Sequence, residues 1–172
     1  AFPMEDSKGK VLTGEGEYFD FKVTSSTVGN NAIPYEVTAR KSADSDDIDE
    51  YIRVYLTKGV TNEEVLLDNY DNLTQTSKVD KDKYTEKTIY TGKVPANQTD
   101  YEENFRLRMW LREGTRFENE QMNNKKFTLT VNVYANAEVV KEEQKVYTES
   151  LLNGADPVLT ANTTTASSSS VQ

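Results

Sequence analysis

Two stretches of strict every-second-residue alternation constrain this chain more than anything else in it. In the first, Phe105, Leu107, Met109 and Leu111 fall on one side of an extended backbone, and Arg106, Arg108, Trp110 and Arg112 fall on the other. In the second, Phe127, Leu129, Val131, Val133 and Ala135 alternate with Thr128, Thr130, Asn132 and Tyr134. A period of two marks a strand with one buried face, whereas a helix repeats every 3.6 residues. Strands of this kind are stable only when the apolar face lies on another layer.

The same period recurs upstream. Phe19, Phe21 and Val23 alternate with Tyr18, Asp20, Lys22 and Thr24. After a turn around Gly29-Asn30, Tyr35, Val37 and Ala39 oppose Glu36, Thr38 and Arg40. Ile52, Val54 and Leu56 then oppose Tyr51, Arg53 and Tyr55, and Lys58-Gly59 ends that strand. Val65-Leu66-Leu67 is a short apolar piece, and Thr88 to Val94 reads as another strand. Between them lie an acidic loop (Ala43 to Glu50), a polar loop (Asp68 to Lys83, with room for a helical turn at 80–86), a loop from Pro95 to Asp100, and a long polar connection over 113–126. Short strands without intervening helices predict an all-β chain, an antiparallel β-sandwich of jelly-roll or Ig-like type.

The sandwich is expected over 16–137. An N-terminal arm, 1–15, precedes it, with Phe2, Met4, Val11 and Leu12 as apolar residues outside the alternating pattern. Downstream, Val140, Gln144, Tyr147 and Leu151 share a helical face, and Gly154 with Pro157 supplies a stop. That spacing predicts a C-terminal helix over 138–152, inside a junction spanning 138–159. Residues 160–172 are rich in serine and threonine and read as a disordered tail or linker.

Chemistry is sparse. The chain has no cysteine and no histidine, which removes thiol nucleophiles, thiolate metal sites and the commonest general base together. No phosphate loop, nucleophile elbow or dinucleotide glycine cluster is present. Carboxylates abound, but nothing selects a catalytic pair, so the expectation is a non-enzyme without a cofactor. Twenty basic against 29 acidic residues leave a charge of -9, which repels nucleic-acid phosphates. No apolar run approaches the roughly 20 residues that span a bilayer. No secretory leader is legible, so a sequence numbered from Ala1 suits a mature, trimmed or cytosolic chain.

Three features have both a chemical and a plain reading. Asp44, Asp46, Asp47, Asp49 and Glu50 carry enough oxygen for calcium, but the EF-hand glycine and distal glutamate are missing, which favours a solvated loop. Arg106, Arg108, Trp110 and Arg112 form a basic and aromatic ladder. It reads as a contact surface for an acidic partner or a second copy, or, by the favoured reading, as an outer sheet face neutralised by neighbouring acids. Asn-x-Thr triplets at Asn72, Asn97 and Asn162 are expected by chance in this composition.

Three stretches in order carry a resemblance. They are Tyr18-Phe19-Asp20-Phe21-Lys22-Val23-Thr24 with the strand Tyr35 to Arg40; Val94-Pro95-Ala96-Asn97-Gln98-Thr99 leading into Phe105-Arg106-Leu107-Arg108-Met109-Trp110-Leu111; and Lys126 to Ala135. Over residues 16–136 this resembles the TasA and camelysin-like exported surface proteins of Firmicutes. The resemblance implies a sandwich fold, export to the cell surface or biofilm matrix, and fibre assembly by donor-strand exchange, with the N-terminal arm as the natural donor. The alternative is an Ig-like accessory module of a phage virion or large surface protein, binding carbohydrate or a coat subunit.

Overall fold

A computed structural model of the chain describes residues 3–15, 17–25, 31–98, 100–115 and 125–135, and the main chain of 138–139, 144–147 and 164–165. In chain order the elements are a one-turn helix α1 (Asp6–Gly9), β1 (Phe19–Ser25), β2 (Ile33–Lys41), β3 (Ile52–Lys58), β4 (Glu63–Asn69), β5 (Glu86–Val94), β6 (Tyr101–Leu111), β7 (Thr128–Ala135), β8 (Glu138–Val139), β9 (Gln144–Tyr147) and β10 (Thr164–Thr165). One sheet runs β10-β1-β6-β3-β4, and the other runs β5-β2-β7-β8, with β9 also against β7. Every pairing is antiparallel except β10 on β1. This is the all-β sandwich that the alternation predicts.

The period-two residues line the space between the sheets. Phe19, Val23, Val37, Val54, Leu56, Leu111, Leu129, Val131 and Val133 are all fully excluded from solvent. Phe21 stacks on Phe105 across the β1–β6 pair, with ring centroids 5.0 Å apart. Burying each such side chain stabilises the fold by roughly 1.5–3 kcal/mol. Three tyrosine hydroxyls tie the layers. Tyr35 of β2 meets Tyr101 of β6, oxygen to oxygen, at 2.8 Å, and buried Tyr70 reaches the carbonyls of Ala39 and Thr85 at 3.2 and 3.0 Å. Desolvation pushes the Tyr35 and Tyr70 hydroxyls well above the usual range, so both stay protonated.

Two boundaries move. The apolar piece Val65-Leu66-Leu67 is the middle of a full strand, β4, whose Glu63 and Glu64 are exposed. β6 starts at Tyr101, because Tyr101 to Asn104 pair with Lys22 to Ser25 although they lack alternation. At 80–84 a single turn forms, with the Tyr84 amide donating to the Asp80 carbonyl at 3.0 Å.

The C-terminal helix expected over 138–152 is not present in the described residues. Of that span, 138–139 and 144–147 are short strands against β7, and the rest lies outside the described residues. Val139 and the Lys145-Val146-Tyr147 run suit a strand as well as a helix, and the unpaired side of β7 offers them main-chain partners.

Candidate functional site

Among the described residues no cleft with converging chemistry stands out, so the surfaces considered are the outward faces and the edges of the two sheets. On the outward face of the first sheet lies the basic and aromatic ladder. Arg106 forms a two-pronged pair with Asp20 on β1, at 2.7 and 2.9 Å, and its guanidinium sits 3.9 Å from the Tyr18 ring centroid. Arg112 lies over the Tyr51 ring at 5.3 Å. Arg106 follows the plain reading, in which an acid on the neighbouring strand neutralises it, and Arg112 meets an aromatic ring instead.

Arg108 and Trp110 depart from the expectation of an open contact surface. Arg108 is only 6% exposed and donates through Nε to the Leu12 carbonyl at 2.9 Å. Burial first, and then the charge of Arg106, lower its pKa. Trp110 is 1% exposed, with its indole packed under Gly9 and edge-on to Tyr55 at 6.0 Å. Only glycine fits at that point, because a β-carbon on residue 9 would fall inside the indole ring. Among the described residues Trp110 Nε1 closes no hydrogen bond.

The cover over Trp110 is the N-terminal arm. Asp6 accepts from Arg53 Nε and Nη2 at 3.1 and 2.7 Å. The hydrogen bonds from Arg53 are the main reason that the Asp6 carboxyl titrates below its usual value. The Met4 amide donates to the Leu111 carbonyl at 3.0 Å, in a parallel bridge to Arg112, and Lys10 pairs with Glu64 at 2.9 Å. Of the four apolar arm residues, Met4 and Leu12 are thus held through their main chains, Val11 is 67% exposed, and Phe2 lies outside the described residues.

The acidic loop turns towards lysines. Asp47 and Asp49 pair with Lys41 at 3.2 and 2.6 Å, and Asp44 pairs with Lys126, whose hydrogen bond holds the Asp44 carboxyl down at about 2. Asp46 accepts from the main-chain amide of Lys126. Among the described residues no three carboxylates gather as a metal would require.

Sequence reasoning missed Glu86. It is fully buried on the outward face of the second sheet, accepting from Arg40 Nε at 2.8 Å, Asn132 Nδ2 at 3.0 Å and the Tyr134 hydroxyl at 2.7 Å. Three partners from β2 and β7 pin the first residue of β5, and a lone glutamate at a loop end gives no sign of that. Nearby, Pro34, Tyr35, Lys78, Lys93 and Tyr134 line a shallow hollow of about 480 Å³.

The edges differ by side. On one side of the sandwich, β4 carries Glu63, Glu64 and Asp68 and is the last strand of its sheet. On β5, the segment 74–76 is tacked along the first half by Thr76 N to Glu86 O at 3.0 Å and Thr88 N to Thr74 O at 2.8 Å, and Lys93 stands on the second half. Edge charges and short tacking segments both discourage a further strand. On the other side, β7 is covered by β8 and β9, and β1 by β10. The charges of β1 do not guard it, since Asp20 is occupied by Arg106 and Lys22 by Glu102 at 3.4 Å.

No family model matches the chain, and no curated protein or solved structure is significantly similar to it.

Proposed function

We propose that this chain is an extracellular structural or adhesive protein of a bacterial cell surface or biofilm matrix, which self-associates by adding strands at a sheet edge. The observation that carries the reading is the edge of β1. It takes up a remote segment as a parallel strand, with Val23 opposite Thr164 and Thr24 opposite Thr165. An edge that accepts one extended segment through main-chain hydrogen bonds accepts others, because such bonds are nearly indifferent to sequence. The sandwich fold agrees with the resemblance to TasA and camelysin-like proteins, and the cell-surface location rests on that resemblance.

The donor assignment changes in this reading. Met4, Asp6, Gly9, Lys10 and Leu12 of the arm are engaged with the first sheet of their own chain. Phe2, Met4, Val11 and Leu12 act as donor only if that docking is undone. Electron microscopy of the purified chain over a concentration series tests the function: fibres or oligomers are expected above a threshold concentration. A protein that stays monodisperse and monomeric at every concentration would falsify it.

A further inference from the structure

The outward face of the second sheet carries a hollow that the self-association reading does not use. We propose that it binds a carboxylate-bearing sugar residue of an acidic polysaccharide. The hollow lies on the sheet that does not contain β1, so it stands or falls apart from that reading.

The register of three strands builds it. Thr91 of β5 stands opposite Glu36 of β2, and Glu36 stands opposite Tyr134 of β7. Two residues along, Lys93 stands opposite Pro34. Alternation puts these side chains on one side of the sheet. Lys78 joins them from the loop after the 74–76 segment, where its amide donates to Thr76 Oγ1 at 3.2 Å. The space they line is about 480 Å³, within the range of small-molecule sites.

The floor is set before any ligand arrives. Tyr134 is 2% exposed, and its hydroxyl is held by Glu86 at 2.7 Å. Glu36 is oriented by the Thr88 hydroxyl, which donates to its Oε1. Side chains already held in place lower the ordering cost of binding.

Charge supplies the selection. Lys10, Lys22, Lys41, Lys58 and Lys126 each pair with an acid of their own chain. Among the described residues the ammonium groups of Lys78 and Lys93 have no such partner, although the chain carries 29 acidic residues. Two cations beside the Glu36 carboxylate leave the hollow positive by one charge, on a molecule whose net charge is -9. That balance suits a single carboxylate better than a phosphate dianion, which would also face Glu36.

The remaining groups suit the rest of a sugar. Each ammonium offers three donors to carboxylate oxygens, and Glu36 keeps lone pairs for hydroxyl groups. Pro34 is exposed and gives the C–H face of a pyranose ring an apolar surface. A carboxylate, hydroxyls and an apolar face on one ring describe a uronic acid. Because the hollow is shallow, a ring inside a polymer reaches it as readily as a free sugar.

Calorimetric titration of the whole chain with a galacturonic acid tetramer at low ionic strength tests the site. Saturable binding is expected, and maltotetraose, a neutral counterpart, should not bind. Lys78→Ala together with Lys93→Ala should weaken binding about fivefold to tenfold. Both side chains are exposed, so this variant should fold, with Trp110 emission unchanged as the check. Lys81→Ala with Lys83→Ala makes the same change of net charge outside the hollow and should leave binding as it was. No saturable binding of the tetramer, equal binding of maltotetraose, or an unchanged affinity in the Lys78 and Lys93 variant would overturn the site. An equal loss in the Lys81 and Lys83 variant would do the same. So would inorganic phosphate or a tetraglutamate peptide that competes as well as the uronate, because the hollow would then respond to charge alone.

Discussion

The two ends of this chain meet the same sheet by different means. Beside one main-chain bridge at Met4, the N-terminal arm is fitted through side chains: a two-pronged Asp6–Arg53 pair, a glycine on an indole, and a carbonyl under Arg108. The C-terminal segment meets β1 through a two-residue main-chain ladder. A fit built on side chains is selective and hard to exchange. A backbone ladder accepts any extended chain that offers the same donors and acceptors. The arm is therefore held by selective contacts, and residues 164–165 by main-chain pairing.

The comparison presumes a rigid body between the ends, and Glu86 offers the severest challenge to it. Glu86→Ala removes the shared acceptor of Arg40, Asn132 and Tyr134 and should cost about 3–5 kcal/mol, read by denaturant unfolding. A loss below about 1 kcal/mol would mean that the network is incidental. Next in size, deleting residues 1–12 uncovers Trp110 and should cost about 2–4 kcal/mol while leaving a folded sandwich. Trp110 is the sole tryptophan, so its emission should shift to the red; unchanged emission would show that the arm is not its cover.

A milder version keeps the arm and spoils its fit. Gly9→Val places a side chain where the indole sits, for a loss of about 1–3 kcal/mol and the same spectral shift. Smallest is Asp6→Asn, below about 1 kcal/mol because the pair is partly solvated. Its sign with pH is fixed. The hydrogen bonds from Arg53 hold the Asp6 carboxyl below its ordinary 3.8, so its contribution is complete above that value and is lost as pH falls through the lower, folded-state value. Parent and variant should converge in acid. A gap that widens there would place the stabilisation elsewhere.

What was legible in the sequence was whatever depends on near neighbours. The alternation at 105–111 and 127–135 places each apolar residue inside, because a strand's faces are set by its own backbone. The fate of Trp110 was not legible: it alternates onto the outer face as expected, but a segment about a hundred residues earlier decides that this face is covered. Glu86 was hidden for the same reason, since its three partners come from two other strands. No local signal sets Gly9 apart from the chain's seven other glycines, and its contact with the indole comes only from the fold. At the C-terminus, Val140, Gln144, Tyr147 and Leu151 fit a helix by spacing, but Gln144 and Tyr147 lie in a short strand that pairs with β7, and Val140 and Leu151 lie outside the described residues.

The parallel sense of the β1–β10 pairing has a mechanical consequence. Tension applied to the two ends of the chain drags these neighbours in opposite directions along their length. The ladder's hydrogen bonds are then loaded together in shear instead of being peeled apart one by one. A junction of that geometry yields abruptly, at a higher force than its few bonds would resist in peeling.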